Sequence, residues 1–406
     1  MKAKKKIGFM TKVLIGLLLG VVAGIVFGEK MSTVGFIGTI FLRLLRVGVV
    51  PLILCNIVIA VAGIGDLKKL GRIGIKMFIL FMATTLVAAV IGLVFGLIVN
   101  PGLGYTMTEV GEVTEQTAPT VSSVILGFFG TNIISSMANA EMLPIISFAI
   151  LSGIGLIYAP EDDRAKILGG VGYVAKYIMF FLRFVIRFAP IGVFFLISNT
   201  IGLYGAEVLG ALGKFLGAII AAALVHMLII YSLLYYAGTR KNPFKMWKAI
   251  SPVWVTSFSS CSTAATMPVS ITTCKDNLKL DSEVSDLVIP LGANLNMDGN
   301  AIWFGVVSVF VAQVCGIDMT ATIMVTAVLM GVLMTLGSPG IPGGIFVATT
   351  IFLQTLGFPI EFAALLSGVV SVVDPLLTTC NCVGSVIVAS VVDKTEGAHK
   401  SASAEA

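Results

Sequence analysis

LVIPLGANLNMDGNAIWFGVVSVFVAQVCGI, residues 287–317, contains one charged side chain, Asp298, and the way that charge is tolerated decides the fold. A second apolar stretch, FAALLSGVVSVVDPLLTTCNCVGSVIVASVV (362–392), keeps only Asp374. Moving a carboxylate from water into a bilayer costs at least about 2.5–3.5 kcal/mol on insertion scales. A chain that retains two of them, each beside Asn, Gly or Pro, uses them on a cation or a polar solute. The competing reading is an aspartate that packs helices together by bonding a neighbour's backbone.

The surrounding chain fits a membrane. Of its 406 residues 57% are hydrophobic and 12% charged, with a mean hydropathy of +1.04. A soluble domain carries about 25% charged residues. The net charge of +5 does not point to nucleic acid, because Lys and Arg fall in loops where the positive-inside rule wants them. The opening MKAKKK and the apolar run Val13–Phe27 lack a clear small-residue cleavage site, so they read as an uncleaved first span. The six Cys lie mostly in apolar stretches and read as small hydrophobes. Cys380-Asn381-Cys382 has no nearby His or further Cys to complete a soft-metal site, and His226, inside an apolar span, reads as a packed or bonded side chain.

Apolar segments of spanning length fall at about 8–28, 35–63, 74–99, 121–158, 167–200 and 207–237. DLKKLGRIGIK (66–76) and GTRKNPFKMWK (238–248) are basic and lie inside, whereas NPGLGYTMTEVGEVTEQTAPT (100–120) has three Glu and no Lys or Arg and lies outside. EDDRAK (161–166) fits inside by alternation, and the N-terminus is cytoplasmic.

The next two segments break the alternation. Ala249–Cys274 is uncharged, but Lys245 and Lys248 precede it and Lys275 and Lys279 follow it, so both ends belong to the cytoplasm. Its Ser/Thr-rich centre, SFSSCSTAATMP (257–268), suits the tip of a re-entrant hairpin, which must line a protein or water cavity. Met319–Ile360 is also uncharged, and GSPGIPGG (337–344) cannot continue a helix, so a second hairpin entering from outside is expected. The alternatives are one polar span for the first segment and two full spans for the second. Thr266 precedes Asp298 by 32 residues, and Pro342 precedes Asp374 by the same interval. Each hairpin thus precedes a helix expected to break at its aspartate, the pattern of an inverted repeat with a midplane site.

Asn294, Asn296 and Asp298 supply oxygen ligands in a stretch that can unwind, and an all-oxygen site suits a hard cation such as Na⁺. Thr84 and Thr85, in LFMATTLVAAV (80–90), add hydroxyls. Asp374, Thr378 and Asn381 share one helix face with Leu377 beside them, enough to hold the ammonium and carboxylate of a zwitterion. Pro375 is expected to kink that helix. No G-x-S-x-G, H-E-x-x-H or P-loop motif suggests an enzyme.

These motifs, in order, resemble the dicarboxylate/amino acid:cation symporter family of glutamate and neutral amino acid transporters. The resemblance rests on FLRLLRVGVVPLI (41–53), GDLKKLGRIGIK (65–76), NPG (100–102), TMPVS (266–270), PLGANLNMDGNA (290–301), GSPGIPGG (337–344) and DPLLTTCN (374–381). It implies an all-α polytopic membrane protein with eight transmembrane helices, two re-entrant hairpins and inverted repeats, assembled as a homotrimer in the prokaryotic cytoplasmic (inner) membrane, with both termini cytoplasmic. Residues 1–72 and 121–200 would form the scaffold helices 1, 2, 4 and 5. Helix 3 (73–99) and residues 207–395 would form the moving transport domain. The latter holds helix 6, hairpin 1 (about 243–275), helix 7 (about 284–316), hairpin 2 (about 319–356) and helix 8 (about 359–393); residues 396–406 would be a polar tail.

The resemblance also assigns roles by position. Asp374 would bind the substrate ammonium, and Thr378 and Asn381 would sit near its carboxylate and amine. Thr263, Ile341, Gly344 and Ile345 would close the pocket with backbone groups. One sodium ion would use Thr84, Thr85, Asn296 and Asp298, and a second the Asn294 carbonyl with Thr335, Leu336 and Ser338. A third would use carbonyls of Gly292, Asn296 and Asn381 with a last-helix carboxylate. No organic cofactor is implied.

Three positions depart from the family pattern. Leu377 stands where acidic-substrate members carry an Arg, so a neutral amino acid is expected as substrate. Ser385 replaces the carboxylate of the third sodium site, and Asn300 replaces a Thr at the pocket. The expected activity is sodium-coupled uptake by elevator-type alternating access. The alternatives are proton or mixed-cation coupling, an anion-conducting relative, and a ligand sensor that does not transport.

Overall fold

In the computed structural model, residues 9–69, 72–105, 129–139, 141–205, 208–337, 344–359 and 361–404 are described, and their regular elements are all helices. In chain order these are α1 (Phe9–Phe27), α2 (Phe36–Lys69), α3 (Arg72–Val99), α4 (Ile133–Asn139), α5 (Met142–Ile157), α6 (Glu161–Ile186) and α7 (Ala189–Tyr204). Then come α8 (Val208–Val225), a π-helical turn at His226–Tyr231, α9 (Ser232–Thr239), α10 (Pro243–Ala249), α11 (Ser251–Ser260) and α12 (Thr263–Asp276). The chain continues through α13 (Ser282–Leu295), α14 (Asp298–Val314), α15 (Ala321–Gly337), α16 (Gly344–Thr355) and α17 (Glu361–Ala404). Six helical stretches among the described residues are long and apolar enough to cross a membrane. The protein is an integral membrane protein.

Burial separates two kinds of helix. In the most apolar part of Ser282–Val314 94% of residues are buried, and in that of Val372–Glu396 89%, against 22% for Glu161–Ile186. A helix that is apolar all round belongs inside a bundle, and α14 is buried at every residue from Asp298 to Ala312. Around it pack α3, α8, α15 and α17. Small residues allow the closest approach: a methyl on Gly92 would lie 2.3 Å from the Ile302 carbonyl oxygen, and one on Gly305 would lie 2.5 Å from that of Ala89. The outer layer follows the same rule. Gly16, Gly20 and Gly24 of α1 face Pro190, Phe194 and Ile201 of α7 at distances that admit no side chain. The opposite faces of α1 and α6 expose Leu18, Leu19, Tyr177 and Phe180, as lipid-facing surfaces do.

Several expectations are corrected. The expected span 167–200 is two helices, α6 and α7, because Pro190 has no N–H to continue the first and is favoured in the first turn of the second. In the expected span 121–158, residues 121–128 lie outside the described residues, and the rest forms the short helices α4 and α5. Helix α14 is broken from α13 at Asn296–Met297 as expected, but the last helix is not interrupted at Asp374. It runs unbroken through Pro375, whose carbonyl still accepts a 2.8 Å bond from Thr379 Oγ1. The same helix extends into the polar residues after 395 as far as Ala404, and Lys76 Nζ donates to Glu396 Oε1 at 2.7 Å.

The segment 249–277 folds back on itself. Asn277 Nδ2 donates to the Ala249 carbonyl at 2.7 Å, so its two ends meet while Cys261 turns the tip with φ +49°. Ser262 caps α12 by accepting from Ala265 N. Helices α15 and α16 touch each other, α15 packs on α14 and α3, and α16 packs on α17; the junction of α15 and α16, 338–343, lies outside the described residues.

Candidate functional site

Asp298 is the first residue of α14 and is completely buried. Its Oδ1 accepts from Thr85 Oγ1 at 2.7 Å and from Thr84 Oγ1 at 3.4 Å. Its Oδ2 accepts from Tyr231 OH at 2.7 Å and faces His226 Nε2 at 3.2 Å. Thr84 Oγ1 also lies 3.3 Å from Asn296 Oδ1. The four residues assigned to one sodium ion, Thr84, Thr85, Asn296 and Asp298, therefore meet at the break between α13 and α14. A carboxylate at a helix N-terminus is favoured by the peptide dipoles, and here the break sets that N-terminus inside the bundle. Hydroxyl oxygens both donate and accept, so the Thr84 and Thr85 groups that now donate to the carboxylate can turn lone pairs toward a cation.

The break is tied to α17 by one amide. Asn381 Oδ1 accepts from Gly299 N at 2.7 Å, and its Nδ2 lies 3.4 Å from Asn300 Oδ1 and 3.3 Å from Met297 Sδ. The Asn381 carbonyl accepts from Asn296 Nδ2 at 3.1 Å and from Ser385 Oγ at 3.1 Å. Close approach depends on two glycines. A methyl on Gly299 would lie 2.3 Å from the Leu377 carbonyl oxygen, and one on Gly384 would lie 2.3 Å from Asn296 Nδ2 and 2.4 Å from Tyr231 OH.

Asp374, Leu377, Thr378 and Asn381 fall on one buried face of α17, with Thr378 Oγ1 3.4 Å from Asp374 Oδ1. Leu377 is wholly buried, so this stretch of the face presents hydrocarbon. The first hairpin reaches the same helices: Thr263 Oγ1 donates to the Ala293 carbonyl at 2.8 Å, and Ser257 Oγ donates to Thr379 Oγ1 at 3.2 Å. On α16, Thr349 Oγ1 accepts from Trp303 Nε1 of α14 at 2.8 Å and Ile345 is buried.

The remaining residues divide. Gly292 and Ser385 are adjacent, since a methyl on Gly292 would lie 2.6 Å from Ser385 Oγ. The Asn294 side chain is exposed, 3.5 Å from the Pro290 carbonyl of its own helix. The Thr335 hydroxyl donates at 2.6 Å to Val332 O within its own helix, and Leu336 is half-buried. Gly344 opens α16, while Ser338 and Ile341 lie outside the described residues. The sequence reading did not single out Tyr231 as a functional residue, and it read His226 only as packed or bonded.

The model of the sodium:dicarboxylate symporter family matches residues 9–395. The proton/sodium-glutamate symport protein of Geobacillus stearothermophilus is 30% identical over 97% of this chain and 96% of that protein. The proton/glutamate-aspartate symporter of Escherichia coli (strain K12) is 30% identical over 89% of this chain and 85% of its own. Human excitatory amino acid transporter 2 is 27% identical over 94% of this chain and 78% of its own.

Proposed function

Because the chain belongs to the sodium:dicarboxylate symporter family, a family of secondary transporters and not of enzymes, we propose that it takes up a neutral α-amino acid by sodium symport across the cytoplasmic membrane. Cation-coupled transport of an amino acid or dicarboxylate is the activity its relatives support. The narrower reading rests on the site.

Leu377 carries it. This side chain is buried on the face shared by Asp374, Thr378 and Asn381, and no Lys or Arg occurs between Lys279 and Lys394. Neither the broken helix, the second hairpin nor the last helix up to that point can offer a cation to a second substrate carboxylate. An unpaired charge there would be expensive. Asp374 pairs with the substrate ammonium, Thr378 and the Asn381 amide take its polar groups, and Leu377 walls the side chain. One sodium ion is held by Thr84, Thr85, Asn296 and Asp298, an all-oxygen set suited to a hard cation. The third sodium site is weakened, because Ser385 supplies no charge and the Asn381 carbonyl already accepts from both Asn296 and Ser385.

In this reading both hairpins re-enter the membrane from opposite faces between eight spans, and the termini are cytoplasmic. A homotrimer of scaffolds (1–72 and 121–200) carries transport domains (73–99 and 207–395) that move as elevators. Proton coupling is the second reading, favoured by the names of the bacterial relatives.

Uptake of radiolabelled amino acids into proteoliposomes tests both. Neutral amino acid uptake only with an inward sodium gradient is the expected result, and uptake driven by a pH gradient in sodium-free buffer would favour the second reading. Aspartate or glutamate uptake would overturn the neutral pocket. Leu377→Arg is expected to shift selectivity toward acidic amino acids, and a folded variant that still rejects them would remove Leu377 from the substrate wall.

A further inference from the structure

The helix that runs from Val208 to Thr239 changes its winding once, at the π-helical turn His226–Tyr231. Residues five apart on an α-helix point about 140° away from each other. In a π turn, which closes i to i+5, they point nearly the same way. His226 and Tyr231 are five apart, and their rings meet edge to face with centroids 4.6 Å apart. Both are fully buried, and both address the same oxygen of Asp298, Oδ2, at 3.2 and 2.7 Å. With regular α-helical winding only one of them would reach it.

The two carboxylate oxygens are thereby given different neighbours. Oδ1 faces Thr84 and Thr85, and Oδ2 faces the imidazole and the phenol. His226 Nδ1 has no hydrogen-bond partner among the described residues, so Nε2 is the nitrogen whose proton points at Asp298. The phenol oxygen also lies 3.0 Å from the Cys380 carbonyl, which ties the arrangement to α17. Gly384 leaves the room for it.

We propose that His226 and Tyr231 are positioning residues for cation binding. They hold Oδ2 of Asp298 from behind and leave Oδ1, with the threonine hydroxyls, as the edge offered to sodium. The inference rests on the assignment of Asp298 to sodium binding. Partners that orient a metal ligand in this way are worth about 10–100-fold in metal affinity.

The test uses the purified full-length protein. Radiolabelled sodium binding without amino acid, its displacement by lithium, and amino acid binding at saturating sodium are measured for the wild type and four variants. Tyr231→Phe, which keeps the ring and removes the hydroxyl, and His226→Leu are each expected to raise half-saturating sodium at least about tenfold and to lower selectivity over lithium. His226→Gln keeps a donor and is expected to stay within about threefold of wild type. Amino acid affinity at saturating sodium is expected to hold within about twofold, which separates positioning from a general loss of structure.

Unchanged sodium affinity in Tyr231→Phe would overturn the proposal while leaving Asp298 as a ligand, and because that variant is nearly isosteric it decides the matter even if His226→Leu does not fold. Equal losses of sodium and amino acid affinity would also overturn it, as would failure of His226→Gln to rescue. If Asp298→Asn binds sodium like the wild type, or the wild type binds none, the sodium reading itself falls, and the positioning role falls with it.

Discussion

Two aspartates occupy matching places, Asp298 32 residues after Thr266 and Asp374 32 residues after Pro342, yet their helices behave differently. At Asp298 the chain breaks at Asn296–Met297, where no proline stands, and Met297 takes φ −116° and ψ 50°. At Asp374 a proline follows at once and the helix runs on for 44 residues in all. A break therefore needs partners for the backbone groups it frees more than it needs a helix-breaking residue. The first break has them: Gly299 N donates to Asn381, and the Asn296 side chain bonds both the Asn381 carbonyl and Thr84. Pro375 only removes one donor, and neighbouring helices in a membrane bundle tolerate that. The two carboxylates consequently sit in different surroundings. Asp298 is held by the Thr85, Tyr231 and His226 side chains, with the Thr84 hydroxyl 3.4 Å away and closer to the Phe81 carbonyl, and Asp374 rides on a continuous rod beside a hydrocarbon wall.

The largest expected difference between them is in ligand binding. Asp374→Ala should abolish amino acid binding by calorimetry while the protein still folds. Affinity retained within about threefold (about 0.6 kcal/mol) would remove Asp374 from the substrate site. Next comes the seam between the two regions. Gly299→Ala drives a methyl into the Leu377 carbonyl, and a loss of about 1–3 kcal/mol in thermal or denaturant unfolding is expected. An unchanged midpoint would mean that the helices separate there without cost. Asn381→Leu leaves the buried Gly299 N–H unpaired and should cost about 1–3 kcal/mol. The smallest effect belongs to the unbroken helix: Pro375→Ala is expected to change stability by less than about 1 kcal/mol and to leave sodium binding intact. A large loss there would show that Pro375 shapes the site after all.

How much of this was legible depended on whether a residue type announces its backbone. NLNMDG carries Asn, Gly and a lone carboxylate, so the first break could be read directly. DP reads as a break too, but proline in a packed membrane helix is survivable, and the sequence carries no sign of the packing that decides. Thr84 and Thr85 offer hydroxyls but alone look like ordinary helix threonines, and the resemblance supplied their place in one site. The π turn was invisible, since HMLIIY has the composition of any buried helix and the extra residue shows only in where His226 and Tyr231 aim. Asn294 illustrates a residue whose type says little about which group it offers: its side chain faces out, and only its carbonyl was assigned to a site.

The unbroken helix has a use at the bench. Glu361–Ala404 is a single rod of 44 residues, about 66 Å long, with Asp374 about a third of the way along and the Lys76–Glu396 pair towards its C-terminal end. Any tilt or travel of Asp374 is transmitted along that rod. A spectroscopic probe fixed at the exposed Lys394 would act as the needle of a gauge, reporting from the surface on a displacement whose origin lies buried within the bundle.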